Sequence, residues 1–341
     1  MKIAFTYNIQ LDPFDIHQAE FDTPETINFI KQTLTNLGHS VILIDAISEI
    51  EEIISALKEI KPDIIFNTAE GTIGKSREGF FPLIFEQLGI PFIGSDSYTC
   101  TVTLDKNLTK IIVEKFGIKT PKYLFVRSLD DLENFNIQFP VILKPNFEGS
   151  SKGITSDSII ENFEGLVKKT QENLKTFPDG ILIEEYIHGK DLTVPFIQSI
   201  SPKTKGILMP CEYDFPTINE RYKIYDYNLK NITSDNVSLK VATETNEKVL
   251  QKIFEYGQKI VSVLNIKDFG RMDFRLSDSG ELYFIEINAL PCLQNGASMY
   301  VSANFAGIEK EEDVIKIILE NAMSRYNLVN QEVRKEKIFE S

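Results

Sequence analysis

Apolar positions along the chain fall into short continuous runs separated by stretches in which they recur at helical spacing. Lys2–Tyr7, 41–44 and 63–66 have the length and character of buried strands, and 24–37 and 50–60 carry helix-spaced apolar residues between them. The first helix is predicted to start at Asp22-Thr23-Pro24-Glu25, where a capping side chain precedes a proline in the first turn, and to stop at Gly38. This alternation predicts a parallel sheet with helices on its faces. In such sheets ligands sit beyond the carboxyl ends of the strands, here 8–20 and 67–77.

The segment 88–93 closes this first unit. Beyond it the pattern predicts a helix over 101–116, strands at 122–126 and 141–144 with a helix at 129–134 between them, and strands at 181–185, 191–198 and 206–210. A long polar stretch, 212–235, holds Glu212, Arg221, Lys223, Lys230 and five aromatic rings; a loop of that length in a compact chain is usually functional. Helices are predicted at 244–264 and within 306–326. The expected division is 1–99, 100–182, 183–330 and a charged tail over 331–341.

The stretch 270–296 is the richest in chemistry. Two strands, 271–276 and 281–287, flank a turn at 277–280. With a two-residue loop at Asp278-Ser279, Arg271 would pair with Glu286 and Asp273 with Phe284; a three-residue loop would change that register. Asp273, Glu286 and Asn288 then share one side with Arg271. Converging carboxylates repel unless a cation or proton lies between them, and a few hard oxygen ligands beside room for phosphate suit Mg2+. A solvated acidic face paired with Arg271 and Arg275 stays open on pattern alone.

The 341 residues suit two or three packed α/β units. Hydrophobic content of 42% and charged content of 25% are those of a globular protein. A net charge of −14 argues against a general nucleic-acid or membrane-surface binder, so an anionic ligand must meet a local basic pocket. The three cysteines, Cys100, Cys211 and Cys292, are too scattered for a disulfide framework. With no charged-then-apolar leader and no apolar run of spanning length, the expected location is cytoplasmic.

Three motif matches fail on context. Ala69–Ser76 (AEGTIGKS) follows a strand but has Ala69 where a P-loop needs its first glycine. Gly149–Gly153 fits GxSxG, yet four residues separate it from the preceding strand and β-branched residues follow it. Asp268-Phe269-Gly270 spells a kinase DFG with no HRDxxxxN loop anywhere in the chain. The loop 145–154, with its glycines, hydroxyls and Lys152, is better read as a set of N–H donors for an anion.

Taken together, Asp105-Lys106, 142–145 (ILKP), Gly149-Ser150-Ser151-Lys152-Gly153, Ile183-Glu184-Glu185 with Gly189-Lys190-Asp191, Arg271-Met272-Asp273 and Glu286-Ile287-Asn288 occur in the order of ATP-grasp ligases. Over about residues 1–325 the chain most resembles the D-alanine–D-alanine ligases. That resemblance implies an ATP-grasp α/β fold with an N-terminal parallel-sheet domain, ATP and two Mg2+ as cofactors, and amide formation between amino-acid-like substrates through an acyl phosphate. It implies that Lys106 and Lys144 hold the ATP phosphates under the loop Gly149, Ser150, Ser151 and Gly153. Glu184, with Glu185 and the backbone near Ile187, would take the adenine, and Asp191 the ribose. Asp273, Glu286 and Asn288 would bind the metals. Arg271, Ser150 and Lys230 are the catalytic candidates: Lys230 for the γ-phosphate, and Arg271, with a backbone N–H near Cys292, for the oxyanion. Small-molecule amino acids or short peptides are the expected partners, and a homodimer is an open expectation.

The departures lie in the substrate half. The family's mobile loop has Tyr directly after the Lys matched by Lys230; here it is Asn231. The family's His-Gly pair after the third strand is Glu70-Gly71, followed by a longer loop through Arg77. Its Pro-Gly after the metal ligands is Pro291-Cys292, and its carboxylate-binding serine aligns with Ala297, one step from Ser298. Glu20 matches the acid that receives the first amino group. A ligase for another amino acid or short peptide, or a nucleotide-binding regulator that does not ligate, is the alternative.

Overall fold

The computed structural model describes residues 1–214, 221–222, 224, 227 and 237–328. The expected roles of Lys230 and Asn231, and the tail 331–341, lie outside these residues. Among the described residues no helix is long and apolar enough to cross a membrane.

The N-terminal sheet is parallel, in the order β2-β1-β3, from β1 (Lys2–Tyr7), β2 (Ser40–Asp45) and β3 (Ile64–Asn67). Helices α1 (Pro24–Asn36), α2 (Ile50–Ile60) and α3 (Arg77–Leu88) connect or follow its strands. Alternation along β1 explains the two cores. Ile3 and Phe5 pack with α1, and Ala4 packs with residues of α2 and α3 on the other face. Thr23 caps α1 by accepting from the Thr26 N–H, ahead of Pro24.

The expected helix over 101–116 is broken. Helix α4 (Ser97–Leu104) ends at Asp105, which is extended, and α5 (Lys106–Lys115) begins there. The Asp105 carboxylate accepts from Leu108 N at 3.0 Å and Asn146 Nδ2 at 2.8 Å. Capping therefore wins over helix continuation, because a short acid satisfies orphan N–H groups best at a new first turn. Strands β4 (Tyr123–Val126), β5 (Val141–Pro145), β6 (Ile159–Ile160) and β7 (Ile181–Glu185) make an antiparallel sheet, β4-β7-β5-β6, backed by α6 (Phe163–Thr176).

A five-stranded antiparallel sheet follows, in the order β10-β9-β8-β11-β12. Its strands are β8 (Gly189–Ile197), β9 (Cys211–Asp214), β10 (Ser238–Val241), β11 (Phe269–Ser277) and β12 (Leu282–Asn288), with α7 (Glu247–Val263) packed on it. The strand expected at 206–210 is reduced to one bridge, Ile207 to Phe196. Lys205 and Gly206 both have positive φ and Pro210 has no N–H, so the ladder cannot propagate until Cys211. At the end of the chain, the expected 306–326 helix runs over α9 (Glu311–Arg325), preceded by a separate α8 (Ser298–Phe305). Val314, Ile315, Ile318 and Leu319 of α9 pack against Ile27, Ile30 and Leu34 of α1, bringing the last helix onto the first unit.

Candidate active site

The β11–β12 hairpin does not have the expected register. Its loop is three residues long, with Gly280 at φ 84 and a Ser277 N–H to Glu281 O bond of 2.9 Å, so Leu276 pairs with Leu282 and Phe274 with Phe284. A bulge at Ile285 then shifts the ladder once more, so that Asp273 pairs with Glu286 and Arg271 with Asn288. The expected pairs, Arg271 with Glu286 and Asp273 with Phe284, are therefore wrong. The reason is burial: Leu282, Phe284 and Ile287 all enter the core, and strict alternation cannot send both Phe284 and Ile287 inward. The bulge absorbs the parity change and leaves Arg271, Asp273, Glu286 and Asn288 on the opposite face.

On that face Arg271 forks onto Asp273, Nε to Oδ1 at 3.2 Å and Nη2 to Oδ2 at 2.8 Å. The Asn288 amide donates to the same Oδ2 at 3.4 Å. Lys106 Nζ lies 3.4 Å from Glu286 Oε2. Burial works to raise the Glu286 pKa, but Lys106, Lys144 and Arg271 overcome it and hold it at about 2. Across the ladder, Thr193 of β8 stands opposite Asp273, and its buried hydroxyl has no hydrogen-bond partner among the described residues. Among the described residues no three His, Cys, Asp or Glu side chains gather into a metal cage. Two ionisable carboxylates and an amide on one face do fit Mg2+, which uses few protein ligands and completes its shell with phosphate and water.

Beside this face lies a buried triad. Glu184 receives Lys110 Nζ at 2.7 Å and Lys144 Nζ at 2.6 Å, all three being nearly inaccessible. Burial pushes Lys110 down to about 8 against the pull of Glu184. Glu184 itself stays below its usual range despite burial, because Lys110 and Lys144 flank it. Lys110 was not among the candidate ligand residues, although it follows Lys106 by one helical turn, a spacing that puts both on one face of α5. Arg275 was also missed as a site residue. It binds Asp191 Oδ1 at 2.8 Å, the Ile187 carbonyl at 2.9 Å and the Tyr186 hydroxyl at 3.0 Å. These anchor the connection between β7 and β8, where Asp191, His188 and Glu212 line a cavity of about 610 Å³.

The loop over the lysines is held from the N-terminal unit. Ser150 and Ser151 are consecutive residues in the left-handed region, φ 50 and 58. A Cβ at Gly149 would stand 2.0 Å from Glu20 Oε1, so any side chain there would displace the Glu20 carboxylate. Glu20 in turn accepts from Lys152 Nζ at 2.5 Å and from Arg77 Nη2 at 3.1 Å to each oxygen. Arg77 also lies 3.5 Å from Glu70 and 3.7 Å from Glu148, and donates to the Phe147 carbonyl. Burial acts to raise Glu20, yet Arg77 and Lys152 bring it down to about 2. Glu70 is raised well above its usual range by burial and by the neighbouring Glu20.

A second cavity of about 610 Å³ opens between these groups. Glu20, Glu70, Ser150, Arg271, Cys292 and Ser298 of the expected set line it, whereas Arg77 lies behind Glu20 and Glu70. Two acids not singled out as substrate residues, Asp22 and Glu78, line it as well.

The D-Ala D-Ala ligase C-terminus family model matches residues 112–320. The chain is 32% identical over 291 residues to the D-alanine–D-alanine ligase of Aquifex aeolicus, covering 85% of this chain and 92% of that one. It is 32% identical over 293 residues to that of Petrotoga mobilis, covering 86% and 90%. In fold it is similar to the D-alanine–D-alanine ligase of Bacillus anthracis, with a TM-score of 0.74 at 22% identity over 99% of both chains, and to the same enzyme complexed with ATP, at 0.72. The VanG D-Ala:D-Ser ligase of Enterococcus faecalis gives 0.70 at 18% identity over 94% of this chain and 99% of that one. With an N-terminal parallel sheet, two antiparallel sheets of the ATP-grasp type and this sequence kinship, the chain belongs to the D-alanine–D-alanine ligase family.

Proposed function

We propose that the chain is an ATP-dependent carboxylate–amine ligase that joins two amino acids, or an amino acid and a short peptide, through an acyl phosphate. The observation that carries this reading is the Asp273–Glu286 pair with Asn288 and Arg271 on one strand face, with Lys106 beside Glu286. Phosphoryl transfer needs positioning and charge neutralisation more than covalent help. Lys106 and Lys144 supply positive charge for the ATP phosphates. The 149–153 loop, with Ser150 and Ser151, closes over them. Two Mg2+ held by Asp273, Glu286 and Asn288 would neutralise the phosphates when bound. Glu184 and the Ile187 backbone orient the adenine, and Asp191, steadied by Arg275, meets the ribose. A substrate carboxylate oxygen attacks the γ-phosphorus and ADP leaves; the second amine then attacks the acyl carbon and phosphate leaves. Arg271 faces the tetrahedral oxyanion of that second step, where a planar, permanently charged fork serves better than lysine.

The first sheet supports a division at about 99, while the second falls after β7, at 186–188 and not at 182, because Ile181–Glu185 belongs to the four-stranded sheet; amino-acid and ATP substrates support a cytoplasmic location. D-alanine is the first substrate to try, since the relatives are named for it. The Arg77–Glu20–Glu70 cluster favours a different amino acid as the second reading, because it rebuilds the wall of the substrate cavity. ATP-dependent phosphate release measured across D- and L-amino acids tests both. Amino-acid-stimulated release that is lost in Arg271→Ala, with ATP binding retained, supports the ligase. Unstimulated protein, or an Arg271→Ala variant that still forms amide, overturns it.

A further inference from the structure

Helix α5 presents two lysines to the nucleotide site, one turn apart, and they end in different surroundings. Lys106 reaches Glu286 on the metal face. Lys110 goes deeper and is wholly buried, its Nζ 2.7 Å from Glu184 Oε1 and donating to the Phe284 carbonyl at 3.4 Å. The ring centroids of Tyr123 and Phe284 both stand 5.9 Å from that Nζ. So enclosed, Lys110 cannot swing out to a phosphate.

Lys144 is placed differently. It lies two residues beyond Ile142 on β5, and Ile142 pairs with Glu184 on β7, so Lys144 and Glu184 project from the same face of the four-stranded sheet. The Lys144 Nζ is 2.6 Å from Glu184 Oε2. Toward the metal face the same lysine, with Lys106, helps to keep Glu286 ionised. Lys144 thus stands between two claims, the Glu184 carboxylate and the phosphates. A buried carboxylate left without a cation is costly, so with Lys144 as its sole counter-ion Glu184 would hold that lysine back. Lys110 removes the conflict: each Glu184 oxygen has its own ammonium, and the three groups together carry one surplus positive charge.

We propose that Lys110 is a positioning residue of the nucleotide site, the standing counter-ion of Glu184, which releases Lys144 to the ATP phosphates while keeping the Glu184 carboxylate in place for the adenine. The inference rests on the ligase reading of Lys144 and Glu184 and adds to it a residue that does not itself touch the nucleotide.

The test measures binding of Mg2+–ATP and of adenosine to the full chain by titration calorimetry, in the parent and in Lys110→Met. In the variant Lys144 alone must neutralise Glu184. Mg2+–ATP is therefore expected to bind roughly 10- to 100-fold more weakly, the worth of a hydrogen bond to a charged group, and adenosine within about twofold of the parent. A displaced Glu184 or a loosened fold would weaken both ligands alike; equal losses, or an unchanged affinity for Mg2+–ATP, overturn the assignment. Glu184→Gln removes the charge that competes for Lys144, and adding Lys110→Met in that background should leave the ratio of the two affinities unchanged. A fall in that ratio of about tenfold would mean that Lys110 meets the phosphates directly, and overturns the assignment equally. This second comparison decides the matter should Lys110→Met alone fail to fold, since the double variant buries no unpaired charge. If the parent fails to bind Mg2+–ATP or adenosine, the nucleotide-site reading falls and this inference with it; if the parent binds both and Lys110→Met weakens them alike, that reading stands and Lys110 only supports the fold.

Discussion

The Glu20 carboxylate crosses from the N-terminal unit to touch the backbone at Gly149, with Arg77 and Lys152 on its oxygens. A methyl group at position 149 must displace it. Gly149→Ala is therefore expected to raise KM for ATP and lower kcat/KM by at least tenfold, with a stability change of only about 1 kcal/mol because the loop is local. Adding Glu20→Ala removes the obstacle, and a double-mutant cycle on KM for ATP should show the two effects to be strongly non-additive. Additive losses would mean that the contact does not hold the loop. At this scale Arg271, Asp273, Glu286 and Asn288 were legible, because strand alternation and a charged cluster are written locally. Lys110 and Arg275 were not: each acquires its place from a partner on another element, Glu184 on β7 for the first and the Ile187 carbonyl for the second. Asp22 was read only as part of a helix start, since an N-terminal acid ahead of Thr23-Pro24 is explained by capping until the structure gives the cap to Thr23.

Ile285 decides the hairpin. Its bulge lets Phe284 and Ile287 both enter the core while Glu286 and Asn288 face Asp273 and Arg271. Deleting Ile285 removes the extra residue, so that Glu286 follows Phe284 directly and strict alternation keeps Leu282, Phe284 and Ile287 inward with Glu286 and Asn288 on the opposite face. The expected outcome is a folded protein that keeps ATP-dependent phosphate release, with stability changed by about 1 to 2 kcal/mol for the lost bulge and side chain. Complete loss of release in a folded deletion variant would show that the bulge itself, beyond the facing of the two sets, is needed at the site. Sequence pattern located both strands and the right group of polar residues, yet missed the register, because loop length and bulge each shift pairing by one and neither has a strong residue signature here. The break at Asp105 was hidden for a similar reason. Its capping role depends on Leu108 and Asn146, and only the first of these is near in sequence.

The whole molecule is closed by its last helix. Arg325 of α9 binds Asp268 at 2.7 Å and donates to the Phe92 and Gly94 carbonyls at 2.9 and 3.1 Å, while Asp268 accepts the Gly94 N–H at 2.7 Å. Burial raises the Asp268 pKa, and Arg325 is the main opposing group. Arg325→Met leaves a wholly buried carboxylate with little compensation and is expected to cost roughly 3 kcal/mol at neutral pH. A raised acid binds its proton more readily folded than unfolded, so its contribution to stability falls as pH rises from the unfolded pKa through the folded one. The loss in Arg325→Met should therefore shrink toward pH 4, which urea melts at several pH values would check; a pH-independent loss would contradict the account. The alternation of strands and helices announced the parallel sheet and the ATP-grasp order, whereas the return of α9 onto α1 is a long-range packing choice that helical periodicity alone cannot express.

The acyl phosphate is the claim on which the rest depends, and oxygen-18 reports it directly. With the carboxylate of the active amino acid labelled, ATP and Mg2+ present and amide forming, one labelled oxygen should appear in inorganic phosphate for each bond made, with ADP as the nucleotide product. Label in AMP, or amide formed with unlabelled phosphate, would contradict it.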